Sequence, residues 1–183
     1  MAKIDKTKVI TNLVRFSYLK VFQPGKEGDI DAGKYSVSLI IPKSDKETIK
    51  YIKEAINAAK EDGKSVKWGG KIPAKMLEVL RDGDERDSDP AYEDSFYVNA
   101  KSTTKPGLID INKNPITSEE ELYSGCYGRA SITFYPYDSN GNRGVACSLN
   151  NLQKIKDGEP LSGRASADSD FDDEFDDEDE DWD

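Results

Sequence analysis

The residues from Cys126 to Leu152, CYGRASITFYPYDSNGNRGVACSLNNL, predict two β-strands and the turn that joins them. Apolar and polar side chains alternate from Cys126 to Asp138, which is the period of a half-buried strand. The Asn-Gly pair within Ser139–Asn142 is a strong signal for a tight hairpin turn. A second strand is predicted from Gly144 to Leu152. This hairpin indicates that the core of the protein is built on a β-sheet.

The two faces of the first strand differ in chemistry as well as in polarity. One face carries Ala130, Ile132 and Phe134, which suit a protein core. The other face carries Tyr127, Arg129, Ser131, Thr133, Tyr135 and Tyr137. Lys, Glu, Thr and Ser are ordinary on an outer strand face, whereas three tyrosines, one arginine and no carboxylate are not. A flat, anionic partner would suit this face.

The strand predicted from Asp94 to Thr104 repeats this pattern. Phe96, Val98 and Ala100 alternate with Tyr97, Asn99, Lys101 and Thr103, and Lys105 follows. If the two strands share a sheet, their outer faces form a groove in which Tyr rings stack on bases and cations hold phosphates. A duplex hides its base faces, and the sequence shows neither a basic recognition helix nor zinc-finger spacing. We therefore expect single-stranded nucleic acid as the partner.

The predicted nucleic-acid-binding residues are Arg15, Tyr97, Lys101, Lys105, Tyr127, Arg129, Tyr135 and Tyr137. An alternative is that loops and helices partly bury individual tyrosines of this set. Trp68 could likewise stack on nucleic acid or anchor a helical insertion against the sheet, and anchoring is the preferred interpretation. These residues do not separate DNA from RNA, because stacking rings accept either.

Two further strands are predicted in the N-terminal half. The first runs from Thr11 to Phe22, where Val14, Phe16 and Tyr18 would share one face. The second runs from Tyr35 to Ile41 with the same alternation. Together with the C-terminal hairpin they give enough strands for a closed barrel or a sandwich, and the order of elements leaves both open.

Helices are predicted between these strands. Ser44 and Glu47 form a capping box ahead of a helical pattern that ends at Gly63. A second short helix is predicted from Pro73 to Gly83. The fold class is therefore mostly β with helical insertions (α+β), the insertion lying around residues 44–90.

The negative charge of the chain is concentrated at its C-terminal end. The chain has 183 residues and a formal net charge of −10. Residues 164–183 hold twelve carboxylates and one arginine, so they carry −11 and residues 1–163 carry +1. Like charge and few apolar residues predict a disordered acidic tail over 164–183. The near-neutral domain of residues 1–163 can collect its basic side chains on one face.

Composition disfavours several function classes. The chain has no histidine, which removes the commonest general base and the usual zinc ligand besides cysteine. Cys126 and Cys147 lack metal-ligand spacing and are predicted to be buried thiols in a reducing cytoplasm. No metal or cofactor is expected. No apolar run has the length of a membrane span, and none follows residues 1–10 as in a signal peptide.

A metal-dependent nuclease is the enzymatic alternative. Its candidate ligands are Asp82, Asp84, Glu85, Asp87 and Asp89. Paired carboxylates can hold two Mg²⁺ ions about 4 Å apart for phosphodiester cleavage. These acids lie in one loop, however, and their spacing does not match an EF-hand. A solvated loop without metal is the preferred interpretation.

Four segments resemble bacteriophage single-stranded-DNA-binding proteins built on one elaborated OB-fold. They are PKSDKETI (42–49), LRDGDE (80–85), YGRASITFYPYDSNGNRGVACSLNNLQ (127–153) and DGEPLSGR (157–164), which the acidic tail follows. The resemblance covers nearly the whole chain, and residues 127–153 are its most specific part. It implies an OB-fold barrel that covers DNA exposed during phage replication and recombination in the host cell cytoplasm. It also implies DNA rather than RNA, and no enzymatic activity.

The resemblance further implies that the tail recruits replication or recombination proteins. Phe171, Phe175 and Trp182 punctuate the acidic run, and we expect them to contact such a partner. Related proteins often end in Phe, whereas this chain ends in Trp182-Asp183. A tail tethered beside the groove should also compete with DNA for it. The alternative is a protein-interaction module whose tail imitates DNA, although the outward Tyr and Lys residues argue against it. Self-association is left open.

Overall fold

The structure is a computed structural model that describes residues 1–86 and 89–161. Its strands are β1 (Lys3–Asp5), β2 (Lys8–Ile10), β3 (Val14–Lys20), β4 (Tyr35–Pro42), β5 (Arg81–Asp82), β6 (Ser95–Ser102), β7 (Gly107–Ile109), β8 (Tyr127–Ser139) and β9 (Asn142–Lys156). Helix α1 covers Lys46–Val66, and two single-turn 3₁₀ helices cover Gly83–Glu85 and Pro90–Tyr92. Within the described ranges, no helix combines the length and apolar character of a membrane span.

Five strands close into a barrel in the order β3, β4, β6, β9 and β8, after which β8 pairs with β3 again. The β6–β9 contact is parallel and the other four contacts are antiparallel. Strands β1 and β2 extend the sheet from β8, while β5 and β7 pair with β6 and β9. A five-stranded barrel of this kind is an OB-type arrangement, so the fold is a barrel and not a sandwich.

The barrel interior is formed by the apolar faces that the sequence predicts. Ala130, Ile132 and Phe134 on β8 are at most 1% exposed. Both cysteines are buried, as predicted. At the predicted hairpin turn, Asn140 and Gly141 have φ values of 53° and 88°. Two successive residues with positive φ give a turn whose twist matches the long strands β8 and β9.

Strand β3 departs from the predicted alternation at Tyr18. This residue has a φ of 48°, and the pairing of β3 with β4 shifts between Ser17 and Lys20. The extra residue of such a bulge redirects the side chains that follow it. Tyr18 is therefore 55% exposed while Ser17 is buried. The prediction that Tyr18 shares a face with Val14 and Phe16 is wrong.

The start of α1 lies one residue later than the predicted capping box. Asp45, not Ser44, is the N-cap, and its carboxylate accepts the N–H of Thr48 at 3.1 Å. Glu47 does not close a capping box, because its carboxylate accepts the N–H of Ala2 at 2.9 Å. Glu47 instead fastens the N-terminal segment to the first turn of the helix.

The predicted stop at Gly63 is also wrong, because α1 continues to Val66. Gly63 is buried where the helix meets Trp68 and the β8–β9 hairpin. A Cβ atom at this position would lie 2.6 Å from the Cβ of Pro136 and 2.7 Å from the Trp68 ring. Glycine is required here for close packing rather than to end the helix.

The second predicted helix, Pro73–Gly83, is absent from the described residues, in which 71–80 form an irregular connection and β5 follows. Met76 and Leu80 pack against the core, but Leu77 is 79% exposed. A helix this short is marginal in water unless one apolar face is fully buried. Here the connection buries part of its apolar side chains without forming a helix, and only the following strand β5 pairs with β6.

Candidate nucleic-acid interface

The outer face of β6 forms the floor of a groove on the barrel. Two adjoining hollows of about 360 and 320 Å³ share Asn99 and Lys101 on this strand. We call the two hollows together the barrel groove. Its charged, aromatic, hydroxyl and amide side chains are those of Tyr18, Lys20, Asp31, Lys34, Ser36, Ser38, Glu78, Arg81, Arg86, Asn99, Lys101, Tyr135 and Tyr137. Of the residues predicted from the sequence, Lys101, Tyr135 and Tyr137 are brought together here.

Two tyrosine rings in the barrel groove are open to solvent. Tyr18 is 55% exposed and Tyr135 is 45% exposed. A tyrosine hydroxyl is neutral at physiological pH because its ordinary pKa is about 10, and partial burial of the ring raises the pKa of Tyr135 further, so this hydroxyl does not repel phosphates. Exposed rings of this kind can stack on bases of any sequence. Tyr18 was missed in the sequence because nothing in its neighbourhood marks the bulge that turns it outward.

Lysines surround these rings. Lys20 and Lys34 are exposed, and neither is in a salt bridge within the described ranges. Lys101 is bound to Asp31 of the β3–β4 loop, with its Nζ 2.6 Å from the carboxylate. A phosphate entering the barrel groove would compete with Asp31 for Lys101. The groove can therefore supply both stacking surfaces and phosphate ligands.

Arg86 stands at the edge of the barrel groove among three aromatic rings. Its guanidinium lies 4.2 Å from the ring centre of Tyr92, 5.1 Å from that of Tyr97 and 5.8 Å from that of Tyr18. Asp89 holds the same guanidinium at 3.3 Å. The rings orient the cation without neutralising it, and a phosphate would compete with Asp89 for Arg86. Sequence reasoning missed it because it lies in an acid-rich loop.

Tyr97 does not present an open ring. It is 6% exposed, and it packs edge to face against Tyr92 with ring centres 5.1 Å apart. Arg86 and Leu161 cover the same cluster. The expectation of an outward stacking ring at Tyr97 is therefore wrong. Loops cover it, as the alternative interpretation of the tyrosines allowed.

Two other predicted residues, Tyr127 on β8 and Arg15 on β3, lie at the opposite end of β8 from Tyr135. Tyr127 is eight residues from Tyr135, which is about 26 Å along a strand. Its ring lies between Arg15 and Lys156, at 5.2 and 5.1 Å from their charged atoms. Arg15 donates to the carbonyl of Gly125 at 3.0 Å and to that of Glu159 at 2.8 Å. These residues fasten the C-terminal segment and do not line the barrel groove.

Arg129 and Lys105 also lie outside the barrel groove. Arg129 donates to the carbonyl of Thr11 at 2.8 Å and to that of Met1, which holds the N-terminal segment against β8. Lys105 is exposed in the connection between β6 and β7. Their roles in nucleic-acid binding stay predictions, and their positions give those predictions no support.

Trp68 anchors the end of α1. Its indole N–H donates to the carbonyl of Tyr137 at 3.1 Å, and the side chain is 4% exposed. It is thus closed to stacking, and the anchoring interpretation is confirmed. Because Tyr137 is in the barrel groove, this hydrogen bond also fixes the groove against the helix.

The acid-rich loop forms ion pairs. Lys43 lies 2.8 Å from the carboxylate of Asp82 and 2.7 Å from that of Asp84, and its hydrogen bonds lower the pKa of both. These contacts hold β5 and the following turn, which carry Arg81 and Arg86. Among residues 1–86 and 89–161, no three His, Cys, Asp or Glu side chains are grouped as metal ligands. Asp87 lies outside the described residues.

The last described residue, Leu161, lies next to the barrel groove. The N–H of Leu161 donates to the carbonyl of Ser124 at 3.0 Å, and its side chain packs on the cluster of Ile40, Tyr92 and Tyr97. Arg86 covers that cluster from the groove side. The predicted tail, 164–183, and its aromatic residues Phe171, Phe175 and Trp182 lie outside the described residues.

Comparisons with known proteins agree with one another. A family model described as Enterobacter phage Enc34, ssDNA-binding protein, matches residues 7–182. The putative protein p50 of Acyrthosiphon pisum secondary endosymbiont phage 1 is 34% identical over 166 residues, which cover 85% of this chain and 87% of that protein.

Solved structures include two informative neighbours. The single-stranded DNA-binding protein from bacteriophage Enc34, in complex with ssDNA, is 26% identical with a TM-score of 0.73, covering 88% of this chain and 97% of that one. Gp2.5, a single-stranded DNA binding protein encoded by bacteriophage T7, has a TM-score of 0.55 over 89% of this chain and 99% of that one. Its identity of 15% means that this second likeness concerns the fold alone.

Proposed function

The chain belongs to the family of the Enterobacter phage Enc34 single-stranded-DNA-binding protein, and from that premise we propose that it binds single-stranded DNA in the barrel groove. The observation that carries this proposal is the pair of exposed rings, Tyr18 and Tyr135, beside a floor that contains Lys101. Bases stack on the rings, and Lys20 and Lys34 hold the phosphates. Because any base has a stacking face, this mode is not sequence-specific.

We further propose that the protein covers DNA strands exposed during phage replication and recombination, in the host cytoplasm and without catalysis. The family relationship supports the biological setting. The absence of histidine and the pairing of Asp82 and Asp84 with Lys43 support a binding role over hydrolysis. A metal-dependent nuclease would need those carboxylates free for the metal.

We also propose that residues 164–183 compete with DNA for the barrel groove and recruit replication or recombination proteins when DNA displaces them. Leu161, next to the Tyr92 and Tyr97 cluster, supports the first part because the segment that follows starts beside the groove. The 22 residues after Leu161 can reach at most roughly 75 Å, which is ample for the barrel. Phe171, Phe175 and Trp182 would then contact the partner.

The test is fluorescence anisotropy of a labelled single-stranded oligonucleotide, with duplex DNA as competitor, on the full chain and on a variant ending at Gly163. We expect tight, salt-sensitive binding that duplex does not displace. Tyr18→Ala with Tyr135→Ala should weaken it by about 1 to 3 kcal/mol for each stacked base. Tyr18→Phe with Tyr135→Phe is the matched control, because it keeps both rings, and should bind as the unaltered chain does.

The same experiment can contradict the proposal. If neither the full chain nor the variant ending at Gly163 binds the oligonucleotide, the groove has a structural role. The tail as a DNA mimic that occupies another protein's basic site would then be the better account.

A further inference from the structure

Helix α1 carries a row of basic residues along one side. Lys46, Lys50, Lys53, Asn57, Lys60 and Lys64 follow one another at spacings of three or four residues, and Lys67 continues the series at the C-cap. Because an α-helix completes a turn in 3.6 residues, these side chains share one face. We call them the lysine row. At 1.5 Å per residue the row is about 30 Å long.

The charge of the lysine row is available to a ligand. Lys60 is half-buried and the other five lysines are exposed. None of them is in a salt bridge in the part of the chain that the structure describes. Of the four acids of the helix, Glu47, Glu54 and Glu61 are spaced seven residues apart and follow a separate line, and Asp62 lies on another face. The row is thus a cationic track without an internal carboxylate, in which Asn57 is the one uncharged member.

A third hollow joins the lysine row to the barrel groove. This hollow, of about 690 Å³, has Lys53, Asn57 and Lys60 on its helix wall and Arg81 and Arg86 on the opposite wall. Arg86 and Arg81 also line the two hollows of the barrel groove. Glu78, Asp82 and Glu85 line the third hollow as well, and Asp82 is paired with Lys43. A ligand can therefore pass from the groove to the helix beside Arg81 and Arg86, which face Lys53 and Lys60 across this hollow.

We propose that single-stranded DNA leaves the barrel groove past Arg81 and Arg86 and continues along the lysine row, which binds its phosphates. This inference rests on the proposed function of the groove. The row contains no aromatic residue, so it holds the sugar-phosphate backbone and leaves the bases unstacked. The row contributes only to strands long enough to reach beyond the groove, and its contribution is strongly salt-dependent.

The test measures binding of dT oligonucleotides from about 6 to about 30 nucleotides over a range of salt concentrations, a span that brackets OB-fold site sizes. Lys53→Gln with Lys60→Gln should lower the slope of log K against log salt by about 1.4 for the longest strand, since each lost phosphate contact is worth about 0.7. Affinity for the shortest strand should be unchanged. Lys53→Arg with Lys60→Arg keeps the charge and should keep the slope.

The matched control is Lys3→Gln with Lys8→Gln, which removes the same charge from exposed positions on β1 and β2 and should leave the slope unaltered. Equal slopes for K53Q/K60Q and the unaltered chain, with tight binding by both, would overturn the inference and leave the proposed function intact. No binding by the unaltered chain at any length would overturn both.

A third outcome concerns the acidic tail. If K53Q/K60Q binds DNA more tightly in the full chain but not in the variant ending at Gly163, the lysine row holds the tail instead of DNA, and the inference is wrong. The shorter variant is suitable for this comparison because all the packing described above lies within residues 1–161.

Discussion

At the scale of single residues, the ion pair between Lys101 and Asp31 sets the charge of the barrel groove. Asp31 neutralises a cation on the groove floor, so DNA must displace it. Asp31→Asn should therefore raise the affinity for single-stranded DNA by about 1.5- to 5-fold, the range expected for a partly exposed pair. Anisotropy titrations at low salt measure this change.

Glu27→Gln is the control for that experiment. It removes one negative charge from the same loop, at an exposed position that has no salt bridge in the described ranges. If both variants bind DNA equally tightly, the effect is one of net charge and Lys101 has no special role. A decrease for D31N would instead mean that the pair holds the loop in its binding position.

Residue patterns in the sequence predict which face a side chain takes but not what lies over it. Tyr135 and Tyr127 are on the same side of β8, yet one lines the barrel groove and the other packs between Arg15 and Lys156. Arg129 donates a hydrogen bond to the carbonyl of Met1, which is 128 residues away in the sequence. No local period encodes such contacts, so the strand faces were predictable and the membership of the site was not.

At the scale of elements, Trp68 joins α1 to the β8–β9 hairpin. The buried ring fills the space beside Gly63, and its N–H satisfies the carbonyl of Tyr137. Trp68→Ala should cost about 3 to 5 kcal/mol of unfolding free energy. For a chain of this size that lowers the melting temperature by roughly 6 to 20 °C, which calorimetry can measure.

Leu77→Ala provides the comparison, since Leu77 is in the same connection but 79% exposed. Its effect should stay within about 0.5 kcal/mol. Trp68→Phe should fall between the two, because it keeps an aromatic ring and loses the hydrogen bond. A Trp68→Ala variant as stable as Leu77→Ala would show that the helix is not anchored there.

The Lys43 ion pairs hold β5 and the turn behind it, and their strength should depend on pH. Hydrogen bonds from Lys43 lower the pKa of Asp82 and of Asp84 in the folded protein. The ion pairs therefore stabilise the fold fully at a pH above about 3.9, which is the pKa of an aspartate in the unfolded chain. This stabilisation is lost as the pH falls through the lowered pKa values of the folded protein. The N–H of Asp84 donates a hydrogen bond to the Asp82 carboxylate, and the N–H of Asp94 donates one to the Asp84 carboxylate. Lys43→Met should therefore speed hydrogen exchange at these two amides.

The stability difference between Lys43→Met and the unaltered chain should then be larger at pH 7 than at an acid pH below the lowered pKa values of Asp82 and Asp84, where the carboxylates are protonated in both proteins. Lys3→Met is a charge-matched control from an exposed strand position. A difference that does not change with pH would assign the effect of Lys43 to its contact with the Phe96 ring, at 5.2 Å.

Among the elements, the long strands and α1 were predictable because each has a clear period. The four short strands were not, since two or three residues carry too little pattern. The bulge at Tyr18 and the packing of Gly63 against Trp68 depend on tertiary contacts. Gly63 has the sequence signature of a helix stop, and only its buried surroundings show that it permits close packing of the helix against Trp68 instead.

At the scale of the whole molecule, the family resemblance was already present in residues 42–164, and the family match confirms it. Barrel closure needed the structure, because the β6–β9 contact joins strands that are far apart in the sequence. The division of charge between residues 1–163 and 164–183 was readable from composition alone. What that division does to binding is a separate, testable matter.

Ending the chain at Gly163 changes the formal net charge from −10 to +1. If the tail competes for the barrel groove, the shorter variant should bind single-stranded DNA about tenfold more tightly or better at low salt, since a tethered competitor acts at mM concentration. Salt screens both partners, so the advantage should shrink when the Debye length falls below about 8 Å. Anisotropy titrations across salt concentrations measure both effects.

A peptide of residues 164–183 added to the shorter variant distinguishes competition in the groove from general repulsion. At mM concentration it should restore the weaker binding, whereas at μM concentration it should have little effect, because only tethering makes the tail's local concentration high. Unchanged affinity on shortening would reject competition outright. If shortening raises the DNA affinity and mM peptide does not lower it again, the tail acts by electrostatic repulsion of the approaching DNA. It then does not occupy Tyr18, Tyr135 and Lys101.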